Sequence, residues 1–179
     1  GLVAVIARLP ETLAARNPAA LAPAVLLDNA RHLLRNRQSR FFMLLAAVAM
    51  VAIVTIIAGL PRLYEANFGV SGALFAILFG LHGVGIVVGQ VLNHRLIGRI
   101  GAVASAIIAS LIMSVACLAV ALLSVTGTAG PYSVSAAMFV FAIGYLIVFS
   151  NATALTLEPH GAIAGFASSF FGFVAQVVS

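Results

Sequence analysis

FFMLLAAVAMVAIVTIIAGLP, residues 41–61, contains no charged side chain. A membrane-spanning helix needs about 20 predominantly apolar residues, because the hydrocarbon core is about 30 Å thick and a helix rises about 1.5 Å per residue. Eleven residues of this stretch are Leu, Ile, Val or Phe, and each favours insertion by roughly 0.3–0.6 kcal/mol near the bilayer centre. The stretch therefore predicts a span at 41–60. Lipid offers no water to backbone N–H and C=O groups, so such a run closes its hydrogen bonds within a helix. Barrel strands would be shorter and would alternate polar with apolar residues.

The same reading extends in both directions. Residues 66–94 hold His82 and His94 but neither Arg nor acid, and predict a span at 73–93. Residues 100–157 run for 58 positions without Arg, Asp or Glu. That is too long for one helix, and TGTAGPY (126–132) is a turn signal that divides it into spans at 102–124 and 132–154. Residues 161–179 predict a further span. GLVAVIA at the start is too short to cross a bilayer and has no basic region before it, so it is not a signal peptide; residues 1–8 are expected to be the end of an earlier helix. The expected fold is an all-α polytopic membrane helix bundle of five spans plus the end of a sixth, a piece of a larger protein.

Composition agrees. Of 179 residues, 63% are hydrophobic and 7% charged, with a mean hydropathy of +1.20, against roughly 45–50% and 25% in soluble domains. Too few polar side chains are present to cover a water-facing surface. An ordinary soluble enzyme, a nucleic-acid-binding domain and a disordered segment are thereby excluded. All nine basic residues are Arg, and the acids are Glu11, Asp28, Glu65 and Glu158. Arg8, Arg16, Arg31, Arg35, Arg37 and Arg40 lie in the loop before the first full span, Arg62 in the next, Arg95 and Arg99 in the third. Alternate loops share a side, so one side holds eight Arg and the other one. The positive-inside rule makes loops 9–40, 94–100 and 155–160 cytoplasmic. Within the first of these, 24–38 shows helical periodicity, with Leu26, Leu27, Ala30, Leu33 and Leu34 on one face and Asp28, Arg31, His32 and Arg35 on the other. It is either an interfacial helix whose Arg residues meet anionic headgroups or an amphipathic connector packed on the bundle.

His82 is the ionisable side chain nearest the centre of a span, and intramembrane ionisable groups suggest function by default. It shares a helical face with Gly89 and Asn93, a polar seam turned toward a cavity or a partner helix. The plainer reading is a neutral His that hydrogen-bonds a neighbouring helix, which makes His82 a candidate and not a site. Gly161, Gly165, Ser168 and Gly172 form a second small-residue face suited to close helix packing. No HExxH, GxSxG, Walker or CxxC pattern exists, and Cys117 stands alone. No enzymatic activity, metal or cofactor is expected.

Three stretches carry a family resemblance: LPETL (9–13), GLPRLYEANFGVSGALFAILFGLHGVGIVVGQVLNHRLIGRIGA (59–102) and NATALTLEPHGAIAGFASSFFGFVAQ (151–176). Together they resemble the bicyclomycin-resistance and chloramphenicol-efflux (Bcr/CflA) branch of the major facilitator superfamily. The resemblance implies that the chain holds the end of helix six, the central cytoplasmic loop and helices seven to eleven. It implies proton-coupled efflux of hydrophobic drugs or metabolites by alternating access, in the bacterial inner membrane. The implied partners are the bilayer, a small hydrophobic substrate, protons and the amino-terminal half of the transporter. On this reading Thr55, His82 and Tyr145 are candidates to line the substrate cavity. Asn93, Arg95, Arg99, Gly101 and Asn151 are candidates for a cytoplasmic latch, although the arginines also serve simply to set topology. Ser150, where relatives often have Pro, and Phe166, where a smaller residue is common, depart from the family pattern. A metabolite importer on the same fold and a non-transporting membrane assembly subunit are the alternative functions.

Overall fold

The computed structural model describes residues 22–178. Five α-helices follow one another: α1 (Pro23–Arg35), α2 (Arg37–Phe68), α3 (Gly72–Val125), α4 (Pro131–Leu157) and, after a 3-10 turn at Glu158–Ile163, α5 (Ala164–Val178). The expected all-α bundle is what forms, and no strand occurs among the described residues. The expected helix end at 1–8, the start of the basic loop and Ser179 lie outside the described residues.

Local chemistry sets the boundaries. Pro23 opens α1, where the missing N–H has no helical partner to lose. Asn36 adopts an extended conformation that stops α1, and its side-chain oxygen then accepts from the Ser39 N–H at 3.1 Å to cap α2. The helix α2 continues through Pro61 to Phe68, beyond the predicted span. It ends at Gly69, in the left-handed region at φ 63°, whose N–H returns to the Tyr64 and Glu65 carbonyls.

At 54 residues, α3 would be about 80 Å long if straight, far more than the roughly 30 Å hydrocarbon core. It breaks at Gly101, where φ 80° and ψ 167° define a region open essentially to glycine alone. The loop expected at 94–100 is helical instead, since Arg95, Leu96 and Arg99 are good helix formers. The two arms, 72–100 and 102–125, both pack on α4 in opposite directions. In the first arm His82 meets Met138 and Asn93 meets Asn151, a parallel register. In the second, Ala116 shares a cluster with Met138 whereas Ala109 abuts Gly144, an antiparallel one.

The centre of the bundle is thus α4, with α2 antiparallel along another side. Tyr64 donates to the Pro131 carbonyl at one end of that contact, and Gln38 donates to the Leu155 carbonyl at the other. Three clusters of buried apolar residues follow the α4 axis, around Tyr64, Met138 and Phe141, around Ile147 and Val148, and around Leu33, Leu155 and Phe171. The helix α1 docks at the last of these through Leu33, which is fully buried.

The outer surface is apolar. Phe41, Leu44, Ile77, Val87, Leu111 and Val115 are each 60% or more exposed, forming a surface unsuited to water. Arg37–Phe68, Gly72–Val125 and the interrupted stretch Pro131–Val178 are long and apolar enough to cross a membrane.

Candidate functional site

The seam read from the sequence lies between the first arm of α3 and α4. His82, Gly85, Gly89 and Asn93 are all buried there. A Cβ added to Gly85 would stand 2.7 Å from the Phe139 carbonyl oxygen, and one on Gly89 would stand 2.8 Å from that of Ile143. Glycine is what allows the two backbones to approach so closely. Gly144, on the face of α4 toward the second arm, meets a similar limit at 2.9 Å from the Ala109 carbonyl oxygen. The helical spacing of 85 and 89 marks the first pair in the sequence, but Gly144 is isolated in α4 and carries no such signal.

Two buried polar contacts punctuate the seam. His82 Nδ1 lies 3.3 Å from the Met138 carbonyl oxygen; a carbonyl only accepts, so the neutral ring carries its proton on Nδ1. Its Nε2 is buried without a partner, and the ring stacks on Phe79 at 6.2 Å. Nearer the other end, Asn151 Nδ2 donates to Asn93 Oδ1 at 2.7 Å and to the Ile147 carbonyl at 2.9 Å.

The substrate-cavity candidates are not brought together. His82 is enclosed by α4, Thr55 is exposed on α2, and half-buried Tyr145 directs its hydroxyl to the Met50 sulfur at 3.4 Å. A separate apolar cavity of about 400 Å³ lies between α2, the second arm of α3 and α4, lined by Val48, Ala52, Ser110, Ser114 and Cys117 among others but by none of those three. The Ser110 and Ser114 hydroxyls donate to carbonyls one turn earlier in their own helix, which leaves the wall largely apolar.

The latch candidates divide in two. Asn93 and Asn151 form the buried contact, whereas Arg95 and Arg99 are exposed at the mouth of the bundle, just before the Gly101 reversal. The stripe of Gly161, Gly165, Ser168 and Gly172 faces away from the described helices, with open space where each glycine would carry a Cβ. The packed face of α5 is instead Ala167, Phe171 and Ala175. Larger side chains contribute more buried apolar area there than glycine can.

A clasp that sequence patterning did not reveal joins α2, the end of α4 and the 158–163 turn. Gln38 donates to the Leu155 carbonyl and to Glu158 Oε2, both at 3.0 Å. Ser39 Oγ meets the Thr156 carbonyl at 2.9 Å and His160 Nε2 at 2.8 Å. These partners lie 117 to 121 residues apart in the chain, so no local period links them.

The chain is similar to a protein described as an uncharacterized MFS-type transporter, YdgK, of Bacillus subtilis (strain 168). The two are 28% identical over 121 residues, covering 66% of this chain but 29% of that protein. The chain thus matches less than a third of its relative's length. No solved structure matches. The sequence model of the Major Facilitator Superfamily matches residues 1–179. A multi-pass bundle of apolar helices and a family match over residues 1–179 identify this chain as a member of the major facilitator superfamily of membrane transporters.

Proposed function

We propose that this chain is the carboxy-terminal half of a proton-coupled efflux transporter of the bicyclomycin-resistance and chloramphenicol-efflux type, working by alternating access in the bacterial inner membrane. Its partners are the bilayer, a small hydrophobic substrate, protons and the amino-terminal half. The observation that carries the reading is the Asn93–Asn151 hydrogen bond at 2.7 Å. It joins two of the three sequence stretches that resemble that branch, through two asparagines 58 residues apart in the chain.

The geometry suits the role. Alternating access moves one half of the transporter against the other largely as a rigid body. Close glycine contacts and a buried amide pair hold α3 and α4 together as such a body. Arg95 and Arg99 at its mouth are free to meet carboxylates or helix C-termini of the opposing half when that side closes.

The test is expression of the complete reading frame in a bacterium stripped of its own pumps. Drug tolerance and dye efflux should rise, and a protonophore should abolish both gains. Efflux that ignores the protonophore removes the antiport claim. Substrate uptake in its place establishes an importer, and no movement of any dye or drug leaves an assembly role.

A further inference from the structure

The helix α1 and the 158–163 turn enclose a cavity of about 330 Å³, within the roughly 300–1,000 Å³ range of small-ligand sites. Asp28, Arg31, His32 and Arg35 line it from α1, and Pro159 and His160 close it from the turn. Two arginines against one aspartate give the lining one net positive charge, the histidines left aside. Neither guanidinium is engaged by a hydrogen bond or ion pair within the described protein.

His160 is 2% exposed. Ser39 Oγ has one proton, which it donates to the Thr156 carbonyl, so the 2.8 Å contact with His160 is made by the imidazole Nε2–H donating to Ser39 Oγ. The neutral ring therefore carries a bare lone pair on Nδ1, buried and without a partner. Burial holds this imidazole below its ordinary pKa, and the neighbouring His32, edge-on at 5.3 Å between ring centres, pushes it the same way. A proton added there meets little counter-charge. From α1 it faces Arg31, His32 and Arg35 with only Asp28 in opposition. Glu158, on its own turn, is bonded to Gln38. Arg37 and Arg40 flank Ser39 on α2, and α5 bears no charged residue.

We propose that this cavity binds one phosphate group, clamped by Arg31 and Arg35 above His160, and that the phosphate belongs to an anionic lipid headgroup. Guanidinium groups match phosphate oxygens with paired donors. The location favours a lipid source: Leu27 and Leu34, on the same short helix, are 52% and 40% exposed, an apolar edge for the acyl side of the interface. The bound anion supplies the counter-charge that His160 lacks, so binding and protonation of His160 reinforce each other. Affinity therefore rises as pH falls toward and below the ordinary histidine value of about 6.5. This site is independent of what the bundle transports.

The experiment reconstitutes the intact ¹⁵N-histidine-labelled protein in phosphatidylcholine vesicles, with and without phosphatidylglycerol, and follows the His160 ring nitrogens by NMR. The resonance is assigned by its loss in H160Q. Phosphatidylglycerol should move the His160 titration midpoint upward, and the R31Q/R35Q pair should weaken binding roughly tenfold or more and cancel the shift. D28N should strengthen it. Inorganic phosphate added to pure phosphatidylcholine vesicles separates the sources: an equal shift there overturns the lipid assignment in favour of a soluble phosphate. A shift that persists undiminished in R31Q/R35Q reflects general surface potential and overturns the site, as does no shift with either phosphate source.

Discussion

Gly89 and Gly172 are the same residue type in similar apolar surroundings, yet their environments differ sharply. A Cβ on Gly89 meets backbone atoms of Ile143 at 2.8 and 3.1 Å, whereas one on Gly172 meets nothing within 4 Å. Backbone cannot swing aside as a flexible side chain does. Gly89→Val should therefore force α3 and α4 apart and lower stability by about 1–3 kcal/mol. Gly172→Ala should be neutral or slightly stabilising, because alanine is favoured over glycine in helices by up to about 1 kcal/mol. Thermal unfolding of the two variants in one detergent checks the contrast, and equal midpoints would remove the packing role given to Gly89. Both glycines belong to small-residue stripes that look alike in the sequence. Helical spacing reveals that a stripe exists, but not which neighbour, if any, it faces. Likewise, the shared face of His82, Gly89 and Asn93 was legible, while their opposite partners Met138, Ile143 and Asn151 were not. Pairing across helices depends on tertiary register, which local periodicity does not encode.

At the scale of elements, charge-free windows located the helices because lipid demands both length and apolarity. They do not mark helix ends, because a helix continues past an apolar window wherever the next residues also favour it. Arg95 and Arg99 argued for a loop on charge alone, yet the helix continues through them to Gly101. Only the backbone conformation there, φ 80° and ψ 167°, reverses the chain. Gly101→Val should cost about 1–3 kcal/mol from strain in that region and loosen the return of the second arm onto α4. Gly98→Ala, three residues earlier in ordinary helical conformation with nothing within 4 Å, should leave stability unchanged or slightly raised. Proteolysis of the 94–103 segment in reconstituted protein reads the difference: faster cleavage is expected in Gly101→Val alone. Equal rates in both variants would mean that the reversal does not depend on glycine.

Across the whole molecule, the described arginines separate by end. Arg31, Arg35, Arg37, Arg40, Arg95 and Arg99 lie at the end defined by the Gln38–Leu155 and Asn93–Asn151 contacts. Arg62 lies near the opposite end, beside Tyr64 and its bond to Pro131. The loop alternation read from the sequence thus corresponds to two physical ends of one bundle. From charge, the arginine-rich end is expected on the cytoplasmic side, since arginine-rich loops resist translocation. The lone Cys117, exposed on an apolar face, makes the orientation measurable once it is replaced by alanine. In that background a cysteine at His94 marks the arginine-rich end and one at Thr128 marks the other; both positions are exposed. A membrane-impermeant maleimide applied to intact bacterial spheroplasts should label Thr128→Cys at once and His94→Cys only after permeabilisation. The opposite pattern would invert the bundle and place both the exposed Arg95–Arg99 pair and the α1 cavity outside the cell.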